Sequence, residues 1–173
     1  DISDYIEEAF ERCGSELRTG YDFRTARRSL NLLTIEWANR GINLWTIEEG
    51  QIPLYPNQAI YALPNDTIDL LDQVTRTNAG GGTSQVDINI NRISESTYST
   101  IPNKYAQGRP IQVWINRQSG ATTPTGVQSP TINVWPAPDQ SNYYTFVYWR
   151  LRRIQDAGNG TTTQDIPFRF LPV

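Results

Sequence analysis

The chain has 173 residues, 38% of them apolar and 19% charged, the size and make-up of one folded domain or of a domain with a small annex. Fifteen basic and eighteen acidic residues give a net charge of −3, the wrong sign for a protein that grips nucleic acid by neutralising phosphates. Histidine is absent and Cys13 is the single cysteine, which excludes a Ser-His-Asp triad, an intrachain disulfide and a thiolate metal cluster within this sequence.

No apolar run approaches the roughly 20 residues that cross a bilayer, so no membrane partner is expected. No signal-peptide pattern opens the chain. Residue 1 is Asp, and Leu171-Pro172-Val173 reads as the opening of a further element. The sequence therefore reads as a piece of something longer. Fourteen of the fifteen basic residues are Arg; Lys104 stands alone. Arg suits bidentate contact with carboxylates and is enriched at interface cores.

The first forty residues predict two helices. Ile6, Ala9, Phe10, Cys13 and Leu17 form one stripe of the first, with Ser3 as N-cap and Gly14 as stop. Cys13 is expected in the core as a small apolar residue. The second helix is predicted from an Asp22 N-cap to Gly41. Phe23, Ala26, Leu30, Leu33 and Trp37 line one face of it. Leu32 and Ile35, flanked by Arg28 and Asn39, lie on roughly the opposite face at 3.6 residues per turn. A helix with two apolar faces needs two partners. The first helix covers one. A further helix or a neighbouring subunit is expected on the other.

After Gly41 the period changes to two. Strands are predicted over 42–47, 61–63, 68–75, 86–91, 111–116, 132–135 and 143–151. Residues 48–50 are expected to turn, and 94–100 to form one helical turn. The run from Tyr143 to Leu151 is apolar or aromatic on both faces, so it should lie centrally. Prolines and glycines punctuate the strands, as in a small sandwich or barrel. Long loops are expected at 78–84, 119–129 and 157–164.

The expected fold is thus α+β. It has an N-terminal helical hairpin over 1–41, an inserted antiparallel β-sandwich or barrel-like domain over 42–165, and a return to a helical bundle from 166–173 onward, continued past the chain end.

Candidate chemistry is sparse. Gly80-Gly81-Gly82-Thr83-Ser84 lacks the lysine and helix of a phosphate-binding loop, and a flexible hairpin tip is the better reading. Glu48 and Glu49 are adjacent on a strand end, so they point to opposite faces and make a poor acid pair. Nothing places Asp69 and Asp72 in an apolar pocket either, and they read as solvated surface carboxylates. No catalytic residue, cofactor or metal ligand is assigned. Trp114, Trp135 and Trp149 fall on the phase opposite to their strands' aliphatic residues. They read as a second core layer or an interface, or else as a stacking platform for sugars or single strands. Arg24, Arg27 and Arg28 open the second helix, and Arg150, Arg152 and Arg153 end the last strand. Pairing with carboxylates of this chain or of a neighbouring copy is expected of them.

Several runs carry a resemblance. They are 26–33 (Ala-Arg-Arg-Ser-Leu-Asn-Leu-Leu), 36–45 (Glu-Trp-Ala-Asn-Arg-Gly-Ile-Asn-Leu-Trp) and 63–67 (Leu-Pro-Asn-Asp-Thr). Others follow at 98–104, 108–110, 135–138, 148–158 and 166–172. In this order they resemble the head-to-tail adaptor family of short-tailed bacteriophages, also called tail tubular protein A-like or packaged-DNA-stabilising proteins. The resemblance covers most of the chain, and its motifs are structural.

The resemblance implies a non-enzymatic virion protein at the neck of the particle. Its partners would be its own copies in a homo-dodecameric ring, the portal protein, the tail nozzle protein, and genome DNA passing without sequence-specific binding. The residues expected at subunit interfaces are Arg27, Arg28, Leu32, Ile35, Asn39, Trp149, Arg150 and Arg152. The mildly acidic chain suits a conduit in which DNA slides. The alternatives are a carbohydrate-binding β module that contacts a host surface and, behind it, a cell-wall hydrolase.

Overall fold

A computed structural model of the chain describes residues 2–16, 19–42, 45–117, 122–123, 126–127, 129–154, 161, 163 and 165–167. The chain divides into two compact units. One comprises Asp1–Thr46 and Arg153–Val173, the other Ile47–Arg152.

The first unit holds helices α1 (Ile2–Arg12) and α2 (Gly20–Asn39). Ile2 and Ile6 are buried, and Phe10, Phe23, Ala26 and Leu30 pack against them. The spacing 2, 6, 10 is one row of α1, so a single row makes the contact with α2. Both helices end in a glycine with positive φ, Gly14 at 72° and Gly41 at 75°. Ser15 N–H donates to Phe10 C=O and Gly14 N–H to Glu11 C=O. Ile42 and Gly41 N–H donate likewise to Trp37 and Ala38. Each pair closes a Schellman motif and satisfies carbonyls that the helix end would leave open.

Three local expectations are corrected here. Cys13 is exposed. It follows the last helical residue of α1, and no described side chain covers it. Ser3 lies inside α1 and is not its cap. The cap of α2 is Thr19, whose Oγ1 accepts from Asp22 N–H and donates to Asp22 Oδ2 at 2.6 Å. Asp22 sits in the first turn, where a carboxylate favours the positive end of the helix dipole. Leu17 lies outside the described residues.

The second unit is built of strands. They are β1 (Ile47–Pro53), β2 (Ile60–Ala62), β3 (Thr67–Thr77), β4 (Val86–Asn89), β5 (Asn91–Arg92), β6 (Gln112–Asn116), β7 (Thr122–Thr123), β8 (Gly126–Val127), β9 (Thr131–Trp135) and β10 (Tyr144–Arg152). A short helix α3 (Glu95–Ser99) follows β5. One sheet has the order β1-β10-β3-β4, a second β2-β9-β6-β5, and β7 pairs with β8 in a third, two-stranded sheet. β10 lies between β1 and β3, as its two apolar faces predict. The pairing is antiparallel except for β5 with β6, which is parallel. That pairing corrects the all-antiparallel expectation.

Both four-stranded sheets feed one core. Leu70, Tyr144, Phe146 and Tyr148 enter from the first sheet. Tyr61, Val113, Ile115, Ile132 and Val134 enter from the second. Alternation along β6 and β9 then leaves Trp114, Asn133 and Trp135 on the outer face of the second sheet.

Residues 48–50, expected to turn, continue β1. Gly50 is the reason a glycine sits there. It faces Tyr148 in register, and a Cβ would stand 2.3 Å from the ring. The strand expected over 42–47 starts only at Ile47, and residues 43–44 lie outside the described residues. Residues 78–84 do link β3 to β4 as a hairpin, but one tied by its own hydrogen bonds. Gly80 N–H donates to Gln85 Oε1 and Asn78 Nδ2 to Ser84 Oγ. Its backbone donors are therefore spent partly on the loop itself. Of the loop expected at 119–129, the described part holds β7 and β8. Most of 157–164 and residues 168–173 lie outside the described residues.

Candidate functional site

In the first unit, α2 carries a stripe that stays exposed among the described residues. Arg28, Leu32, Ile35 and Asn39 recur at spacings of four, three and four, so they share one face, and all are exposed. Leu32 is 59% and Ile35 45% exposed. On the opposite face Phe23, Ala26, Leu30 and Trp37 are partly buried and Thr34 is fully buried. Thr34 Oγ1 returns a hydrogen bond to Asn31 C=O at 2.8 Å, which lets a hydroxyl sit there at little cost. Sequence pattern alone did not mark Thr34. Leu33, expected on the packed face, lies at its edge and is exposed. Arg27 flanks the packed face and is partly buried.

In the second unit, Arg150 and Arg152 are held inside the chain. The Arg150 side chain is 12% exposed. Its Nη1 donates to Asp66 Oδ1 at 2.5 Å and Thr67 Oγ1 at 3.0 Å, and its Nη2 to Glu48 Oε2 at 2.9 Å. Arg152 Nε donates to the other oxygen of Glu48 at 2.5 Å. Burial lowers the Arg150 pKa, but the hydrogen bonds to Asp66 and Glu48 outweigh it, so the guanidinium is held above its ordinary range. Glu48 is thus committed to two arginines, while Glu49 points to the other face and is exposed. These two carboxylates do not converge.

Trp149 lies on the first sheet, in register with Glu49 and Asp72. Trp114 and Trp135 lie on the second sheet. The three tryptophans therefore form no common platform. Trp114 instead stacks on Tyr98 of α3, with ring centroids 4.9 Å apart and planes at 22°. Lys104 Nζ stands 5.4 Å from the Tyr98 ring centre, within cation–π range. Trp135 Nε1 donates to Asn103 C=O at 2.9 Å. These contacts fasten the α3 region to the outer face of the second sheet.

Two open cavities flank this aromatic pair. One, of about 390 Å³, is walled by Asn57, Gln58, Ala59, Ile60, Tyr98, Lys104 and Tyr105. The other, of about 380 Å³, includes Arg92, Glu95, Trp114, Asn116 and Arg117. Asp69 joins the two arginines of the second cavity. Its Oδ1 accepts from Arg92 Nη2 at 3.0 Å and its Oδ2 from Arg117 Nη2 at 2.6 Å. Asp69, Arg92 and Arg117 are far apart in sequence, and only the strand topology brings them together.

Among the described residues no group of three or more metal-ligating side chains converges. No helix among them is long and apolar enough to cross a membrane. No protein-family model matches the chain, and no curated protein matches it.

Proposed function

We propose that the chain is a structural virion protein, the head-to-tail adaptor that joins portal to tail nozzle as a homo-dodecameric ring around the path of the genome. The observation that carries this reading is the exposed stripe of α2, with Leu32 and Ile35 at its centre. One face of the helix is already packed. An apolar stripe on the opposite face gives each copy a surface for the next, and head-to-tail contacts form a ring when the rotation between neighbours closes. In this reading α1 and α2 belong to a bundle completed by helices C-terminal to Val173. The strand unit is an insertion in that bundle, and Arg28 and Asn39 form the polar rim of the contact. The order of the family-like sequence runs supports the same role. The net charge of −3 suits a channel wall that does not hold phosphate.

Native mass measurement with and without purified portal tests it. The wild-type chain is expected to form a ring. Leu32→Asp and Ile35→Asp are expected to abolish the ring and leave the melting temperature of the single chain within a few degrees, because exposed positions tolerate polar residues. A wild-type chain that stays monomeric with portal present, or rings unaffected by both substitutions, overturns the reading.

A further inference from the structure

We infer that the outer face of the second sheet, around the Tyr98–Trp114 pair, is an oligosaccharide-binding site. The inference does not depend on ring assembly. It rests on two cavities of similar size that meet at one stacked pair, since Tyr98 walls the first and Trp114 the second. A pyranose presents an apolar C–H face and an edge of hydroxyls. A site for it needs exposed aromatic rings beside side chains that both donate and accept.

Both components are present. Tyr105 is 78% exposed at the rim of the first cavity, and Trp114 offers its ring to the second. Asn57 and Gln58 wall the first cavity, and Asn116, Glu95 and Arg117 the second.

The first cavity is also held in place before any ligand arrives. Tyr61 Oη accepts from Tyr55 N–H at 2.8 Å and donates to Gln58 C=O at 2.9 Å, which fixes the 55–58 turn. Asn57 has φ 63°, a left-handed backbone uncommon outside glycine. It is pinned there by its N–H on Pro138 C=O and by Gln107 Nε2 on its Oδ1. That pairing leaves Asn57 Nδ2 as a donor. Gln58 spends Nε2 on Ile60 C=O and keeps its oxygen as an acceptor.

Other ligands fit less well. Asp69 pairs with both Arg92 and Arg117, and Lys104 and Glu95 carry opposite charges, so the face has little net positive charge with which to hold a single-stranded nucleic acid by its phosphates. An apolar ligand would cover Asn57 Nδ2 and the Gln58 side-chain oxygen without offering either a partner.

Maltohexaose, chitohexaose and hexagalacturonate, titrated into the full chain with tryptophan fluorescence and calorimetry, test the site. At least one is expected to bind saturably. Tyr105→Ala and Arg117→Gln are each expected to weaken that binding about tenfold or more, with melting unchanged since both side chains are mostly exposed. Trp149→Phe, on the other sheet, is expected to bind as wild type. Three outcomes overturn the inference. None of the three sugars saturates; or both Tyr105→Ala and Arg117→Gln bind like wild type; or oligodeoxythymidine or a proline-rich peptide binds this face while the sugars do not. Ring assembly, measured on the same samples, is a separate readout, so loss of one leaves the other standing.

Discussion

Gly50 and Tyr148 meet across β1 and β10 with no room for a methyl group. A Cβ at Gly50 would stand 2.3 Å from Tyr148 Cζ and 2.5 Å from its Oη. Tyr148 is itself buried in the core shared by the two sheets, beside Phe146 at a ring separation of 5.8 Å, and cannot swing into solvent. Gly50→Ala is therefore expected to destabilise the chain by about 1–3 kcal/mol, the usual range for overpacking. A Gly50→Ala, Tyr148→Leu pair should recover part of the loss in a thermal melt. Equal melting temperatures for wild type and Gly50→Ala would show that the ring relaxes freely. The glycine also sits beside the residues that fix the strand end. Glu48 is two residues before it and carries the ion pairs of both Arg150 and Arg152. Partly buried charges of this kind hold register more than they add stability, because desolvation offsets much of their attraction.

Among the elements, α2 shows most directly what local chemistry decides. Gly41 has φ 75° and nothing within 4 Å of a built Cβ, so any cost of a side chain there is purely backbone. Gly41→Ala should cost about 1–2 kcal/mol, the penalty of a left-handed residue with a Cβ, and Gly41→Asn less, since Asn tolerates that region. A guanidinium titration of the three chains checks the order; Ala and Asn costing the same would argue against the Schellman closure. Such features were legible in the sequence. Gly14 and Gly41 marked both helix ends, and the opposition of Leu30 and Leu32 followed from helical spacing. The alternation of β6 and β9 placed Trp114 and Trp135 opposite the core residues. What was not legible depended on partners distant in the chain. Glu48, Glu49 and Gly50 look like a turn by composition, yet β10 pairs with them over the full length of β1. Cys13 matches the apolar period of α1 but lies where the helix has already ended. The candidate sugar face needed Tyr98 to fold onto Trp114 and Asp69 to gather Arg92 and Arg117. No spacing rule contains those contacts.

At the scale of the whole molecule, the strand unit depends on phenols kept out of water. Tyr61, Tyr144 and Tyr148 are buried in the one core that both sheets share. Burial raises the pKa of each above the ordinary 10.0, because the phenolate loses its hydration. Arg150 acts against this at Tyr148, and a backbone hydrogen bond with Tyr55 acts against it at Tyr61, but desolvation is larger in both. The linkage sign follows. Between 10.0 and the raised values the unfolded chain has lost protons that the folded chain still holds. Stability is then complete below pH 10.0 and falls as the pH climbs through the folded values. Since the three phenols occupy one core, they should ionise as that core opens and not one at a time. Alkaline titration is expected to show phenolate absorbance and loss of circular dichroism rising together above pH 10.0. Tyr148→Phe, which removes one of these phenols, should shift the transition to higher pH. Phenolates that appear in full while the strand signal persists would mean that water reaches this core in the folded chain, and the two sheets would then not seal it between them.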